Sequence, residues 1–503
     1  MEFHFKTMLT QKLVLSNSAL IVIQLVQMVG SFIVARIVGP GVMGIIAYGF
    51  AYVSMFLFIS DLGLGSAHMK LLSEGQDEAK CIGIFARLKI ITVSLYFVIV
   101  LSVFLIQKYC FEFTFGSESQ EKVILLYLVL VTLRQFTTIA SVTWAGKTEQ
   151  ARQDIPAILQ ILLYQVFRVV LAFLGFKAIA LTTSNLMAVL VTIPLYYYLF
   201  NNYKIGNYDK VLARKYFAIA LPIIMLLIAQ TVIFSADKVI LNSLTNTTEL
   251  GYYATSFSLA NFIKVIEGSV GLLFFPLFSG FIAQNNVDKI NRTLVKFERF
   301  TLSFILPLGI YLSIFSDLVV PLSFGNKFLN SIPIFSVLTI ARIISLLILP
   351  YGNIILGKGL FKLTTAIWLC ALSVFLISAY VFVSPSLLNM KGVGMAYSSL
   401  TTTVVLGLLY IYFARKHEKK LIIFQGKSIL IFGIIFSICF FLVYAGFHFN
   451  LSGKILMTIV YFAGFWGISY VTGIVKKEDW MMTLELINVK KMRHYINKEI
   501  FKK

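Results

Sequence analysis

Acidic residues are scarce in this chain: 22 Asp and Glu stand among 503 residues, against 43 Lys and Arg. Charged residues make up only 13% of the total, about half the share in an ordinary soluble domain, too few to cover a water-exposed surface. Long polar stretches are also missing. The widest gap between apolar runs, Leu277 to Arg299, is about 23 residues, too short for a catalytic domain of about 50 or more. The four cysteines, Cys81, Cys110, Cys370 and Cys439, lack metal-type spacing and are expected to be reduced and structural. No Gly-x-x-x-x-Gly-Lys-[Ser/Thr] phosphate loop occurs, so a nucleotide motor of that kind is excluded.

What is present is hydrophobicity. Apolar residues form 59% of the chain and the mean hydropathy is +0.88. About fourteen runs are long enough to cross a hydrocarbon core roughly 30 Å thick: 13–35, 45–67, 84–106, 122–143, 156–176, 179–200, 217–241, 251–276, 300–320, 332–356, 363–384, 392–414, 428–448 and 454–475. Lipid offers no partners to backbone N–H and C=O groups, so these spans must be helices. The first run passes about 20 residues without a small-residue cleavage site before Arg36, and reads as a retained span rather than a signal peptide. The expected fold is an all-α integral membrane protein.

The charge distribution sets orientation. With alternating spans, about 31 of the 43 Lys and Arg fall on one side and about 8 on the other, which places both termini in the cytoplasm. Inner clusters include Lys204, Lys210, Arg214 and Lys215, and then Lys289, Arg292, Lys296 and Arg299. The basic excess therefore faces anionic lipid, and no nucleic-acid partner is expected. Tyr196, Tyr197, Tyr198, Tyr203, Trp144 and Trp480 read as an aromatic belt at headgroup level. The tail, 476–503, carries Met482, Leu486, Val489, Ile496 and Ile500 at near-helical spacing among lysines. It is expected to lie along the inner membrane surface or to dock a partner.

A short internal repeat is visible. Met43-Gly44-Ile45-Ile46-Ala47-Tyr48-Gly49-Phe50 aligns with Leu250-Gly251-Tyr252-Tyr253-Ala254-Thr255-Ser256-Phe257, with Gly, Ala and Phe coinciding at an offset of 207 residues. An even number of spans separates the copies, so both have the same orientation. Two parallel six-span lobes follow, as transporters often have: 1–203 and 204–420, with spans 13–14 in 421–475 and the basic tail in 476–503. Gly39-Pro40-Gly41 marks a tight turn between the first two spans. Pro194, Pro222, Pro276, Pro307 and Pro350 interrupt or bound spans.

Four segments, taken in order, resemble the polysaccharide transport family of O-antigen (Wzx-type) flippases. They are Arg36-Ile37-Val38-Gly39-Pro40-Gly41-Val42-Met43-Gly44, Asp61-Leu62-Gly63-Leu64, Ala236-Asp237-Lys238-Val239-Ile240-Leu241 with Leu250-Gly251-Tyr252-Tyr253-Ala254, and Phe275-Pro276-Leu277-Phe278-Ser279. Met43 departs from the pattern, where an aromatic residue is expected. The resemblance implies a two-lobed fold of the multidrug/oligosaccharidyl-lipid/polysaccharide exporter superfamily. It also implies an undecaprenyl-diphosphate-linked oligosaccharide as substrate, moved from the cytoplasmic to the periplasmic leaflet of the bacterial inner membrane.

Charges inside spans carry the independent argument. Arg134, Arg168, Lys264 and Arg342 lie deep in spans, where each cation facing lipid would cost about 2.5–3.5 kcal/mol. They are therefore expected to face a watered cavity and bind substrate phosphates, or to be held by ion pairs and backbone groups. Glu267, three residues after Lys264, can pair with it on one helical face. Asp237 and Glu267 are the candidates for exchanging H+ or Na+ during coupling. Arg36, Asp61, Gln24 and Gln27 are gating or cavity-lining candidates. Asn17, Gln24, Gln27 and Ser31 share an arc of roughly 80° on span 1. Tyr164, Gln165 and Arg168 cluster similarly on span 5. Such stripes line a wet interior or bond helices together.

The favoured reading is a lipid-linked oligosaccharide flippase, not an enzyme, with no cofactor beyond the coupling ion. Its partners would be membrane lipid, the lipid-linked substrate and other polysaccharide assembly proteins. A drug exporter of the same superfamily is the alternative within transporters, though a cationic cavity should repel cations. A polymerase or ligase would need an extramembrane catalytic loop or an acidic metal-binding cluster. A scaffold would leave mid-membrane arginines unexplained.

Overall fold

The computed structural model describes residues 2–112, 115–263, 278–282, 284, 286–418, 420–421 and 451–471, with side chains described from Ile23 onward in the first helix. Lys264, Glu267, Pro276, span 13 and the basic tail with Trp480 lie outside the described residues. The helices are α1 (Glu2–Ser54), α2 (Leu57–Asp61), α3 (Leu64–Ser73), α4 (Glu78–Tyr109), α5 (Glu118–Gly146), α6 (Gln150–Phe173), α7 (Ala178–Phe200), α8 (Lys210–Leu244) and α9 (Thr247–Ala260). They continue as α10 (Val287–Phe300), α11 (Leu306–Ile314), α12 (Ser316–Phe324), α13 (Ile332–Gly357), α14 (Phe361–Val383), α15 (Lys391–His417) and α16 (Leu451–Val471). Among the described residues nine helices are long and apolar enough to cross a membrane, or ten counting the bent pair α11–α12. The protein is an all-helical, multi-pass membrane protein.

Short polar residues start the helices where the apolar runs begin. The Asp77 side chain accepts from Lys80 N at 3.0 Å, Ser117 from Gln120 N at 3.3 Å, Asp209 from Val211 N at 2.9 Å, and Asn246 from Glu249 N at 2.9 Å. Each such cap is worth about 1 kcal/mol. A straight helix of the 53 residues in α1 would be about 80 Å long, more than twice the hydrocarbon thickness. Gly39 (φ 80°, ψ 176°) and Pro40 divide it into two spans joined by a turn.

Three expectations are corrected. The run 45–67 is not continuous: it breaks after Ser54 and again at Leu62 (φ 46°) and Gly63 (φ 79°), leaving α2 and α3 as separate segments. The run 300–320 begins as a π-helical turn, Thr301–Ile305, and then bends by 79° between α11 and α12. Just before the bend the Ser313 hydroxyl meets Ser336 Oγ at 2.7 Å, tying α11 to α13. Trp144 and Tyr196 do not belong to a lipid-facing belt. Both are buried and stacked on each other, with ring centroids 5.9 Å apart, while Tyr197 and Tyr198 are exposed as expected.

Helices α1 and α4–α7 pack on one another, as do α9 and α13–α15. The two groups meet where α1 lies along α9. A methyl group added to Gly44 would overlap the Thr247 carbonyl and come within 3.0 Å of Gly251 N, and one on Gly251 would overlap the Pro40 carbonyl. The two glycines that align in the internal repeat therefore touch, letting the backbones approach closely. At the same end Arg36 Nε donates to Ser323 O at 3.0 Å and its guanidinium also reaches Leu322 O, satisfying the last carbonyls of α12. Lys327 Nζ donates to Ile37 O at 3.4 Å.

At the opposite end the connection 201–209 is stitched to α4. Gly206 N donates to Ala79 O at 2.7 Å, and Lys80 pairs with Asp209 at 3.4 Å. His68 ties together α3, α5 and α8, its ring nitrogens 2.7 Å from Tyr216 Oη and 2.9 Å from Thr143 Oγ1. Helix α8, about 52 Å long at 35 residues, packs on α3 before Pro222 and also against α14.

Candidate functional site

Two cavities flank α8, and several of the singled-out charges lie in or beside them. The first, about 270 Å³, is lined by Asp61, Lys89, Gln135, Thr138 and Thr231, with Phe58 as an apolar wall. The breaks around α2 present the Ser60 carbonyl and the Asp61 carboxylate to α4. Lys89, only 1% exposed, donates to Ser60 O at 2.9 Å and lies 3.4 Å from Asp61 Oδ1. Thr92 Oγ1 adds a bond to the same carbonyl at 2.9 Å. Burying an ammonium is costly unless it is paired and hydrogen-bonded, and both conditions are met here. Sequence reasoning missed Lys89, because its place near the start of a span assigned it to the adjoining loop. The available clue was its position well inside α4, which begins at Glu78.

Arg134 does not line this cavity itself, but its neighbour Gln135 does. Arg134 is exposed, yet the outward-facing residues of α5, Leu125, Val129 and Phe136, point roughly 140–180° away around the helix. Thr138, one turn on, lines the cavity. The guanidinium is thus on the interior side of the helix rather than the lipid side.

Arg168 is placed differently. It is 5% exposed, between α6 and α1, with Nη1 3.5 Å from Ser31 Oγ, Nη2 3.5 Å from Met43 Sδ, and its guanidinium 5.6 Å from the Tyr164 ring centroid. Gln165 packs against Gly30, where a methyl would overlap its amide. Ser31 of the span 1 stripe therefore meets Arg168 of the span 5 stripe at this seam. Gln24 and Gln27 are half-buried on α1, and Arg36 sits at the Pro40 turn described above.

The second cavity, about 320 Å³, opens among α8, α9, α13, α14 and α15. Asp237 and Arg342 share its wall although they lie far apart in sequence. Asp237 is 4% exposed. Both its oxygens are 2.9 Å from Lys238 Nζ, and Oδ2 also accepts from Tyr253 Oη at 2.9 Å. Arg342, 8% exposed, lies 4.7 Å from the Phe257 ring centroid, and Lys238 Nζ lies 4.2 Å from the same ring. Two basic groups therefore flank Phe257, and one of them, Lys238, is paired with Asp237. Tyr253 and Phe257 stood out in the sequence only as parts of the repeat and family motif, and Asn353 not at all; an aromatic or amide in a span gives no signal of facing a cavity until its neighbours are known.

A third polar cluster lies outside the spans, at the end that carries Lys204. Arg152 donates to Glu149 at 2.8 Å and to Tyr203 Oη at 2.6 Å, Tyr203 also bonds Glu149, and Lys147 bonds Glu78 at 2.9 Å. Burial pushes the Glu149 carboxyl up, but the Tyr203 hydroxyl, Arg152 and Lys147 outweigh it and hold the group below the ordinary carboxylate value. This cluster ties the connection after α7 to the starts of α4 and α6.

Membrane-length helices, a broken second span and cavities on both sides of the long helix α8 define a multi-pass helical membrane fold with polar cavities inside it. Among solved structures, the inward closed conformation of the Lipid II flippase MurJ matches with a TM-score of 0.70 at 14% identity, covering 92% of this chain and 100% of that one. An inward-facing multidrug resistance MATE family transporter of the MOP superfamily matches with a TM-score of 0.57 at 16% identity, covering 82% and 96%. A MOP superfamily transporter from Pyrococcus furiosus matches with a TM-score of 0.56 at 14% identity, covering 80% and 96%. The chain thus has the fold of the MOP superfamily. A sequence profile of polysaccharide biosynthesis proteins matches residues 33–333, and the chain belongs to that family. Comparison with curated proteins finds no matching sequence.

Proposed function

We propose that this protein is a flippase that carries an undecaprenyl-diphosphate-linked oligosaccharide, the repeat unit of O-antigen or a related surface polysaccharide, from the cytoplasmic to the periplasmic leaflet of the bacterial inner membrane. The reading rests on one conjunction: a polysaccharide biosynthesis family on a fold shared with a Lipid II flippase over that protein's whole length. Polar cavities inside an apolar shell suit a sugar that must cross while its polyprenyl tail stays in lipid. Arginine's fork of donors suits a diphosphate and stays charged in a poor dielectric, a role for Arg134, whose neighbours Gln135 and Thr138 line the first cavity. Arg168, enclosed between α1 and α6, positions those helices instead. Movement of α1 against α9 about the Gly44–Gly251 contact provides alternating access, with H+ or Na+ as coupling ion and Asp237 as its candidate carrier. A cation exporter would be poorly served by a cavity whose one carboxylate, Asp237, is already paired with Lys238 and shares the wall with Arg342.

The test is translocation of a lipid-linked oligosaccharide by the purified protein in proteoliposomes, read by access of an external glycosidase. Wild-type vesicles should expose the glycan and Arg134→Ala vesicles should not, at equal protein content. Wild-type vesicles that expose no more glycan than empty ones would overturn the reading.

A further inference from the structure

Asn353, on α13, faces the cavity among α8, α9, α13, α14 and α15. It is 9% exposed, and its amide nitrogen has no hydrogen-bond partner among the described residues. A buried amide donor left unsatisfied is costly, and native proteins rarely keep one without a use. Nearby groups have hydrogen-bonding capacity left over. Tyr410 Oη accepts from Trp368 Nε1 at 2.8 Å, which leaves its own proton for another acceptor. Thr402 gives its proton to Ser398 O at 2.7 Å and keeps lone pairs to accept. Donors at Asn353 and Tyr410 and an acceptor at Thr402, two turns from Tyr410 along α15, thus line the cavity, and hydroxyls both donate and accept.

Charge and shape narrow the ligand further. The charged groups lining the cavity are Asp237, paired with Lys238 at 2.9 Å, and Arg342; one negative and one positive, they leave the wall without a net charge to draw an organic cation or a phosphate. Phe234 and Trp368, with ring centroids 6.0 Å apart, add an apolar aromatic wall against which the C–H face of a pyranose can lie. The volume of about 320 Å³ is at the lower end of the range for small-molecule sites, room for one compact ligand rather than a whole oligosaccharide. We infer that this cavity is a subsite for a single uncharged sugar ring, with Asn353 and Tyr410 donating to its hydroxyls. The inference rests on the flippase reading and assigns one part of the substrate to one place.

Saturation-transfer NMR on the full-length protein in nanodiscs tests it, with methyl glucoside, methyl galactoside and methyl N-acetylglucosaminide as probes. Pyrophosphate and tetraphenylphosphonium serve as charged comparisons. At least one glycoside should give a saturable signal with a Kd of about millimolar, weakened about fivefold or more by Asn353→Leu, while neither charged probe competes. Should Asn353→Leu not fold, Asn353→Asp and Tyr410→Phe carry the same test. No saturable glycoside signal, a Kd unchanged within twofold in the folded variants, or competition by a charged probe would overturn the assignment. Translocation is measured separately on the same preparations. Glycoside binding without translocation would sink the flippase reading and leave the subsite; translocation with binding indifferent to Asn353 would do the reverse.

Discussion

The contact between Gly44 and Gly251 gives the sharpest prediction. A methyl at position 44 would come 2.7 Å from the Thr247 carbonyl carbon and overlap its oxygen. Carbon atoms in contact sit about 3.5–4.0 Å apart, so α1 and α9 must separate by about 1 Å, and both neighbours are backbone that cannot turn aside. Overpacking of this kind costs about 1–3 kcal/mol. If the α1–α9 seam opens during transport, the cost falls only on the closed state and shifts the population toward the open one by about 5- to 150-fold. The assay is labelling of a reporter cysteine, Thr248→Cys, whose parent side chain would lie 3.7 Å from a methyl on Gly41. Gly44→Ala should raise its labelling rate at least about fivefold. Gly464→Ala on α16, where a methyl meets no described atom within 4 Å, should leave it unchanged. Combining Gly44→Ala with Gly251→Ala should add less than the two singles, because both act on one contact. A labelling rate for Gly44→Ala within twofold of the parent would refute the idea that this seam is tight and movable.

At the broken second span, Asp61→Asn should destabilise more than Lys89→Met, because the first strands an ammonium that is 1% exposed while the second frees a carboxylate that already reaches the cavity. Breaking a buried pair from one side costs about 3–5 kcal/mol, and melting of the two variants side by side checks the order. Arg168→Ala should reduce the amount of folded protein, whereas Arg134→Ala should spare it and abolish surface polysaccharide; the opposite pattern in quantitative blots and surface staining would reverse their roles. The depressed Glu149 carboxyl adds stability that is present above the unfolded carboxylate value and lost as pH falls through its lower folded one. The melting temperature should therefore drop below about pH 4, and Glu149→Gln should flatten that part of the profile. Reporter fusions should put Lys204 on the cytoplasmic side and Asn326 on the periplasmic side, and the reverse result would invert the direction of transport.

Composition and periodicity alone determined that this chain is a bundle of membrane helices, because a bilayer imposes the same length and apolarity on every span wherever it packs. The turn at Gly39-Pro40-Gly41 was legible too, since glycine and proline restrict the backbone locally. The repeat around Gly44 and Gly251 could be read as an alignment, but not as a contact; only the packing of α1 on α9 brought the two glycines together. The same holds for the charges. Their presence in spans was plain, but burial alone does not say what a cation faces. Packing enclosed Arg168 against Ser31 and Met43, left Arg134 exposed, and put Arg342 on one wall with Asp237. Breaks in the second and ninth spans escaped notice because the few polar residues beside them, such as Asp61 and Asp317, do not interrupt a long apolar run. Lys89 and Asn353 escaped for a related reason: their significance lies in what other helices bring to them, Ser60 and Asp61 for one and a cavity wall for the other. Those relationships are set by how the helices pack in three dimensions, which no single run of the sequence encodes.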